Sequence, residues 1–253
     1  MDRKIHVFDN GVKIFDYHIL DGQRRRYATD NVHEADEEAI FIEVLKSLPP
    51  RGCFVNIGSA IGYYPILAKR LSHELVIHAI DPVRLHNDYF RENIELNGLS
   101  LNDFTIHQVC IDAFDGEIRF LNQRFGSMVW REKDYLSIIQ LKRIVKKILI
   151  FLRIKNYPKG HFSNIKAISL QNFIRKIGGG ADLLQMDIQG LELDVLNGSK
   201  ELLQSGAVKT FLIGTHGKKK HKACLQLFGL YGYEIEYEEE SPKRQPDGII
   251  LAS

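Results

Sequence analysis

Two glycines and an acidic residue in the first half of the chain have the spacing of a nucleoside-binding turn. Gly58 and Gly62 enclose a short turn between the apolar run Cys53–Ile57 and a segment with apolar residues at helical spacing. A second apolar run follows and ends in Asp81. This order predicts two parallel strands joined by a helix, with the Asp81 carboxylate at the tip of the second strand. A carboxylate at that position can accept hydrogen bonds from both hydroxyls of a ribose.

The spacing of the glycines also bears on which cofactor could bind there. A dinucleotide fingerprint requires the pattern G-x-G-x-x-G, whereas Ala60 and Tyr63 stand here at the second and third glycine positions. The turn is therefore not arranged for close approach of a pyrophosphate, and it suits S-adenosylmethionine (SAM), which carries no phosphate. Two alternatives stay open at this point: a glycine turn that serves only packing, and an oxidoreductase with a nucleotide cofactor.

Composition limits the kind of protein that this chain can form. With 253 residues and 44% hydrophobic content, one α/β domain with additions is favoured over two domains. The net charge of +2 indicates no general attraction to nucleic acid. The cysteines Cys53, Cys110 and Cys224 have no metal-binding or redox spacing, which suggests reduced thiols in a cytoplasmic protein. The sequence shows neither a signal peptide nor a stretch that could span a bilayer, which supports the same expectation.

Strands and helices alternate along the chain in the manner of a doubly wound parallel sheet. A hairpin around Asn10-Gly11 and a helix are expected to form an N-terminal extension over residues 1–49. Strands and helices then alternate over residues 50–253. The loop Glu240–Asp247 is too short for a crossover helix, so the last two strands must be antiparallel. This ending predicts a Rossmann-like, mostly parallel, seven-stranded α/β sheet of the class I SAM methyltransferase type.

Three local predictions affect the surroundings of the site. Asp21–Asp30 is polar and rich in arginine, and it is predicted to be a loop. Phe104–Ile111 is predicted to be the third central strand, which would bring Asp112 to its carboxyl end. Leu191–Leu203 is predicted to be one helix, following a strand whose carboxyl end carries Asp187.

A basic segment interrupts the second half of the domain at residues 134–160. Leu136–Ile154 has apolar residues on one side at helical spacing, and lysines and arginines lie on or near the other side. Such a helix is typical of a segment that contacts a membrane surface, an acidic partner or another copy of the chain, here through residues 136–155. The alternative is an inserted helix that packs on the domain with its charges solvated.

Four passages together resemble the FkbM-type SAM-dependent methyltransferases. They are VNIGSAIGYYP (Val55–Pro65), AIDPVRLHNDYFRENIELNGL (Ala79–Leu99), DLLQMDIQGLELDVLNG (Asp182–Gly198), and FLIGTHG with the later pair Asp247-Gly248. Their combination is more specific than any one motif. The sequence departs from the family pattern at Asn56, where an Asp is usual, and at Gln189, where a Glu is common. The resemblance implies methylation of a hydroxyl, often on a sugar or a natural product.

The fold and the resemblance together imply which residues hold SAM. Ligands of such sheets lie at the carboxyl ends of the strands, near the point where the strand order reverses. Asn56 is expected to bind the amino or carboxylate group of the methionine part, and Asp81 to bind the ribose hydroxyls. Val83 is expected to pack on the adenine, and Asp112 to accept a hydrogen bond from its amino group; a turn-forming role is the alternative for Asp112. The floor under the methionine part is expected to consist of four turn residues, Gly58, Ser59, Ala60 and Gly62.

Two polar residues at later strand ends are the candidates for catalysis. His216 could remove the proton of a hydroxyl acceptor, because an unperturbed imidazole titrates near neutral pH. Asp187 could orient the acceptor or share that task. The alternatives are structural: backbone hydrogen bonding by His216 and capping of the next helix by Asp187. Glu192 matches a family position but could serve only the helix N-terminus, and no metal site is expected, because the spacing of these residues fits no metal motif.

The sequence therefore predicts a SAM-dependent O-methyltransferase that acts on a sugar, a glycan or another hydroxylated small molecule. The lysines within Lys218–Lys222 are consistent with an anionic acceptor, although a solvated helix start explains them more simply. The alternative function is a SAM-binding module that docks on a membrane or a partner through the basic helix, with little catalysis. The expected location is cytoplasmic, with membrane association if that helix binds lipid.

Overall fold

The computed structural model describes residues 4–122, 128–129 and 161–253, and its main feature is a seven-stranded sheet. In spatial order, the strands are Ile235–Glu239 (β12), Gly248–Ala252 (β13), Val208–Thr215 (β11), Ala181–Met186 (β10), Cys53–Ile57 (β3), Val76–Ile80 (β4) and Phe104–His107 (β5). β13 is antiparallel to both of its neighbours, and the other adjacent strands pair in parallel. The predicted mostly parallel, seven-stranded fold with a reversed last strand is confirmed.

The order of the strands reverses beside β3. From β3 the chain moves outward through β4 and β5, and it later returns to the other side of β3 with β10 and β11. β3 and β10 pair in parallel, with Asn56 opposite Gln185 and Ile57 opposite Met186, so their carboxyl ends lie side by side. A crevice opens at these ends, which is where ligands of open α/β sheets bind.

Helices cover both faces of the sheet. They are Asp21–Tyr27 (α1), Ala35–Ser47 (α2), Tyr63–Leu71 (α3), Arg84–Leu96 (α4), Leu170–Lys176 (α5), Glu192–Asn197 (α6), Lys200–Ser205 (α7) and Lys218–Leu230 (α8). Successive side chains of β3 enter two different hydrophobic clusters: Phe54 packs with Phe41 and Phe90, and Val55 packs with Phe173 and the rest of the second cluster. Because both faces are covered, the central strands consist of nearly continuous apolar runs.

A second, four-stranded sheet was not predicted from the sequence. Its strands, in spatial order, are Cys110–Asp112 (β6), His161–Ser169 (β9), Gly116–Asn122 (β7) and Met128–Val129 (β8). The predicted third strand over Phe104–Ile111 is wrong in its second half, because β5 ends at His107 and Cys110 pairs with Ala167 of β9 instead. This pairing joins segments that are distant in the sequence, so no local pattern could indicate it.

Two local predictions are corrected. The predicted loop Asp21–Asp30 is helical over Asp21–Tyr27, because its arginines and Gln23 are good helix formers and the Gln23 side chain closes the first turn of α1 by accepting a backbone hydrogen bond. The expected single helix over Leu191–Leu203 is two short helices, α6 and α7. At the break, the Ser199 hydroxyl donates to the carbonyl oxygen of Val195 (2.8 Å), which competes with the hydrogen bonds of a continuous helix.

The predicted basic helix Leu136–Ile154 and the whole insertion 134–160 lie outside the described residues. The proposed contacts through residues 136–155 with a membrane, a partner or another copy therefore stay predictions. Within the described part of the chain, every helix is too short or too polar to cross a membrane.

The N-terminal hairpin docks on α4 through Asn93 of that helix and Asn97, the residue that follows its last turn. Its strands, which pair antiparallel as predicted, are Ile5–Val7 (β1) and Lys13–Phe15 (β2). The Lys13 amide donates to Asn97 Oδ1 (2.9 Å), and Asn97 Nδ2 donates to the Lys13 carbonyl (2.7 Å). Asn93 accepts from the Phe15 amide (3.2 Å) and donates to the Ile61 carbonyl (3.0 Å). The same helix thereby holds both the hairpin and the glycine turn.

A buried chain of hydrogen bonds joins α2 to the centre of the sheet. Gln185 Nε2 donates to Glu37 Oε1 (2.6 Å), and Asn56 Nδ2 donates to Gln185 Oε1 (3.1 Å). Burial, followed by the negative charge of Asp187, raises the pKa of Glu37 to about 8. Glu37 is therefore mostly protonated and uncharged in the folded protein at neutral pH.

Replacing Gly62 by alanine is expected to destabilise the protein strongly. Gly62 has a φ of +85°, and a Cβ there would lie 1.8 Å from Cδ2 of the fully buried Phe90. The left-handed backbone costs about 1 kcal/mol, and displacement of Phe90 adds about 1–3 kcal/mol to the loss in free energy of unfolding. Urea-induced unfolding measures this loss. The matched control is Gly98→Ala, because Gly98 has a φ of +69° but open space at its Cβ position; equal losses in the two variants would contradict the packing argument.

Replacing Glu37 by glutamine is expected to change how stability depends on pH. The folded protein holds the Glu37 proton up to about pH 8, whereas the unfolded chain releases it near the ordinary value of 4.5. The contribution of this proton to the free energy of unfolding is fully present below the ordinary pKa of 4.5, and it is lost as the pH rises towards 8. Between about pH 5 and pH 8, Glu37→Gln should therefore gain roughly 3–4 kcal/mol in free energy of unfolding relative to the wild type.

Urea-induced unfolding of both proteins at the two pH values tests this expectation. Glu43→Gln is the control, because Glu43 lies on the same helix with a side chain that is 71% exposed. A difference between Glu37→Gln and the wild type that does not vary with pH would show that Glu37 titrates normally.

Candidate functional site

A cavity of about 310 Å³ lies at the carboxyl ends of β3, β4 and β10. Small-molecule sites usually occupy roughly 300–1,000 Å³, so this cavity is large enough for a ligand. Four parts of the molecule line it: the glycine turn with the adjacent strand tips, the second sheet, the N-terminal segment, and the loop before β13.

The Asp81 carboxylate lies in this cavity and connects the glycine turn to the start of α4. One oxygen accepts from the Ala60 amide (3.1 Å) and the other from the Val83 amide (2.8 Å). His86 Nδ1 lies 3.1 Å from both oxygens. The structure therefore brings together the turn and the carboxylate that the sequence singled out. The expected contact of Asp81 with a ribose stays a prediction.

Gly58 is required by the close approach of β10. Its φ is +88°, and a Cβ there would lie 2.0 Å from the carbonyl oxygen of Asp187. The Gly58 and Ser59 amides both donate to the Ile80 carbonyl (2.9 and 3.0 Å), which fixes the turn to β4. The residues Gly58, Ser59 and Ala60 line the cavity, whereas Gly62 is absent from its wall and packs against Phe90.

Asn56 offers a polar group at the tip of β3. Its side chain is buried and lines the cavity, and its Nδ2 is engaged by Gln185. Its Oδ1 receives no hydrogen bond from the described residues. This oxygen can accept a hydrogen bond from a ligand, and the ammonium group of the methionine part of SAM is such a donor. The cavity therefore fits the expected role of Asn56.

Apolar side chains form part of the cavity wall. Val83 lies on it as predicted, and the other apolar residues come from the second sheet: Cys110, Ile111, Phe120 and Val129. The expectation for Asp112 is not supported, because Asp112 is fully buried outside the cavity wall and its Oδ1 accepts from the Ala113 amide (2.6 Å). The displacement follows from the split of the predicted third strand.

The N-terminal segment closes the other side of the cavity, which the sequence did not indicate. Gln23, Arg26, His33 and Glu34 contribute to the wall. Arg26 donates to the His33 carbonyl (2.9 Å) and lies 3.9 Å from Glu34 Oε1. Burial, followed by the charges of Glu37 and of the other nearby carboxylates, raises the pKa of Glu34 well above its ordinary value. The only available signal in the sequence was the unusual density of arginine at positions 24–26.

His216 lies among three carboxylates at the end of β11. Its Nδ1 is 3.2 Å from Glu192 Oε1, and its Nε2 is 3.2 Å from Asp247 Oδ1 and 3.6 Å from Asp187 Oδ1. Asp187 and Asp247 line the cavity, whereas His216 does not belong to its wall. The two predicted catalytic residues are thus neighbours. Asp247 was not predicted as a site residue; in the sequence it is notable only as part of the Asp247-Gly248 pair that resembles the family pattern.

The charges of this cluster act against one another. Burial lowers the pKa of His216, but its hydrogen bond to Glu192 and the charges of Asp187, Glu192 and Asp247 outweigh that effect and raise it to about 9. Burial raises the pKa of Asp187 to about 6, although the charge of His216 opposes the rise. His216 is therefore protonated at neutral pH in this arrangement, which argues against the expectation that it acts as the resting base.

Two charged residues near the cluster hold the turn between β10 and α6. Glu192 Oε1 accepts from the amides of Ile188 and Gly190 (both 3.0 Å), which lie in the turn before α6. Lys220 donates to the Gly190 carbonyl. Lys218 and Lys222 pair instead with Glu240 at the surface: Lys218 Nζ lies 2.9 Å from Oε1 and Lys222 Nζ lies 3.9 Å from Oε2. The lysine-rich helix start therefore has structural partners and does not by itself argue for an anionic acceptor.

Three solved methyltransferase structures share this fold. A ribosomal protein L11 methylase from Lactobacillus delbrueckii subsp. bulgaricus is 12% identical, with a TM-score of 0.50 over 88% of this chain and 79% of that chain. A methyltransferase FkbM from Methylobacillus flagellatus is 11% identical, with a TM-score of 0.50 over 94% of this chain and 62% of that chain. A precorrin-6y C5,15-methyltransferase from Geobacter metallireducens is 10% identical, with a TM-score of 0.51 over 98% of this chain and 97% of that chain. At these identities the likeness shows the fold alone.

The sequence comparisons add the family. None of the curated proteins matches the sequence. The family model of the methyltransferase FkbM domain matches residues 56–235, which include the glycine turn, Asp81, Asp187 and His216. The chain belongs to the FkbM methyltransferase family, and its cofactor is SAM.

Proposed function

We propose that this SAM-dependent methyltransferase transfers the methyl group to a hydroxyl of a sugar, a glycan or another hydroxylated small molecule. The observation that carries the proposal is the pair of carboxylates, Asp187 and Asp247, that lines the cavity beyond the glycine turn. Carboxylates accept hydrogen bonds and offer none when ionised, so they suit an acceptor that donates from its hydroxyls.

The strand order separates the two ends of the cavity. Asp81 ends β4 on one side of β3, and Asp187 follows β10 on the other side. With the adenosyl part at Asp81 and the methionine part at Asn56, the side beyond β10 is left for the acceptor. Arg26 and Glu34 of the N-terminal segment also belong to the cavity wall, so this segment is expected to contact the acceptor and to exclude water.

SAM supplies a sulfonium methyl group that is already activated for displacement. In the transfer, the acceptor oxygen would form a bond to the methyl carbon as the carbon–sulfur bond breaks, and the hydroxyl proton would be released to solvent. Asp187 would hold the hydroxyl by accepting its hydrogen bond, and alignment of this kind accounts for much of the rate of such reactions. His216 and Glu192 would act through Asp187 and Asp247 by fixing the local charge.

The alternative function as a membrane-docking or partner-docking module rests on residues 136–155, which the structure does not describe. Membership of a methyltransferase family does not support a nucleotide-dependent oxidoreductase. The cavity and its carboxylates therefore favour catalysis over docking.

Replacing Asp81 by alanine is expected to weaken binding of S-adenosylhomocysteine by roughly 100-fold or more. The variant loses hydrogen bonds from two ribose hydroxyls to a charged acceptor, each worth about 1.5–3 kcal/mol, and it loosens the turn at Ala60. Isothermal titration calorimetry measures the change, and thermal unfolding checks that the variant is folded. Asp88→Ala on the outside of α4 is the control and should bind as the wild type does. Unchanged binding by Asp81→Ala would contradict the assignment.

The acceptor class is tested by incubating the enzyme with methyl-labelled SAM and matched acceptors. Sugars, nucleotide-linked sugars and phenols are compared with amines and carboxylic acids of similar size. We expect an alkali-stable methyl ether on a hydroxylated acceptor, and exclusive labelling of amines or carboxylates would overturn the proposal. Asp187→Asn should retain S-adenosylhomocysteine binding but lower kcat by about 100-fold, because it loses the group that aligns the hydroxyl. Asp88→Asn serves as the control.

A further inference from the structure

Three potential metal ligands converge at the acceptor side of the cavity. Asp187 follows β10, His216 follows β11 and Asp247 precedes β13, so the donors come from three elements. One donor atom from each residue lies within 4.8 Å of the other two. Their separation along the sequence is far longer than that of a local metal motif, which is why sequence spacing gave no sign of the group.

The interatomic distances suit coordination of one ion. His216 Nε2 is 3.2 Å from Asp247 Oδ1 and 3.6 Å from Asp187 Oδ1. Adjacent ligands of an octahedral ion with bonds of about 2.1 Å are separated by roughly 3 Å, so a small inward movement of these side chains would complete the arrangement. The two carboxylates balance the charge of a divalent cation, and His216 would release its proton on binding the ion.

Two further contacts point to a ligand rather than to a chance cluster of acids. Glu192, whose side chain is 1% exposed, lies 3.2 Å from His216 Nδ1 through its Oε1. This contact orients the imidazole so that Nε2 is the nitrogen nearest to Asp187 and Asp247. Metal-binding histidines are commonly oriented by a carboxylate in this way. Asp187 Oδ1 is buried and receives no hydrogen bond from the described residues, because His216 Nε2 at 3.6 Å lies beyond hydrogen-bond distance.

We propose that Asp187, His216 and Asp247 bind one divalent cation and that Glu192 positions His216 for this purpose. The inference rests on the proposed function and extends it. The remaining coordination positions face the cavity that Asp187 and Asp247 line, where the hydroxyl oxygen of the acceptor would bind. A bound cation makes a hydroxyl more acidic and fixes the position of its oxygen. The proton then leaves to solvent, and the oxygen takes the methyl group while the sulfonium becomes a thioether.

Titration of the S-adenosylhomocysteine-bound protein with Mn²⁺ tests the proposal without relying on activity. Electron paramagnetic resonance follows the loss of the free Mn²⁺ signal, and Mg²⁺ and Zn²⁺ are then added as competitors. We expect one Mn²⁺ per chain, binding at least 10-fold weaker in Asp247→Asn and His216→Gln, and 10-fold to 100-fold weaker in Glu192→Gln. Asp88→Asn on α4 should bind Mn²⁺ as the wild type does.

Calorimetry with S-adenosylhomocysteine verifies that each variant is folded, since Asp247 and His216 lie away from Asp81. If none of the three metals binds, or if Asp247→Asn binds Mn²⁺ as tightly as the wild type, the cluster is only a set of ion pairs around protonated His216 and the proposal is overturned. In that case, methyl transfer to hydroxyls in the presence of EDTA would leave the proposed function intact. Metal binding without methyl transfer to any hydroxyl would instead count against the proposed function alone.

Discussion

The hydrogen bonds to the Asp81 carboxylate are the interaction on which the glycine turn of the candidate site depends. They join the Ala60 amide in the turn after β3 to the Val83 amide at the start of α4. A carboxylate that is only 5% exposed is tolerated because several donors surround it. One side chain thereby fixes two backbone segments that are far apart in the sequence, while it stays in the wall of the cavity.

The surroundings of Asp187 show the opposite situation, because negative charge is crowded there and only partly compensated. Glu34, Glu37, Asp187 and Asp247 all have raised pKa values, each first of all because of burial. His216 is the cation that lies in contact with two of them. Such an arrangement disfavours folding relative to an apolar core, and perturbed groups of this kind concentrate where a protein binds or transforms a ligand.

The N-terminal segment connects these two sides of the site. Asn93 of α4 bonds both to the hairpin and to the glycine turn, and Glu37 of α2 reaches Asn56 through Gln185. The segment that closes the cavity is thus tied to the residues that form its floor. Binding of a ligand at either end can therefore depend on how well this segment is seated.

Sequence alone determined the wound sheet, its reversed last strand, the glycine turn and the carboxylate at the next strand tip. These features follow from patterns over short stretches: apolar runs of strand length, left-handed positions that need glycine, and a loop too short for a crossover. The tertiary structure alone decided four further features. They are the second sheet, the position of Asp112 outside the cavity wall, the closure of the cavity by α1 and the charge state of His216. Each of these depends on segments that are distant along the chain, such as Cys110 with Ala167 or His216 with Asp247. Pairing energy and electrostatic interaction depend on distance in space, and folding alone sets that distance.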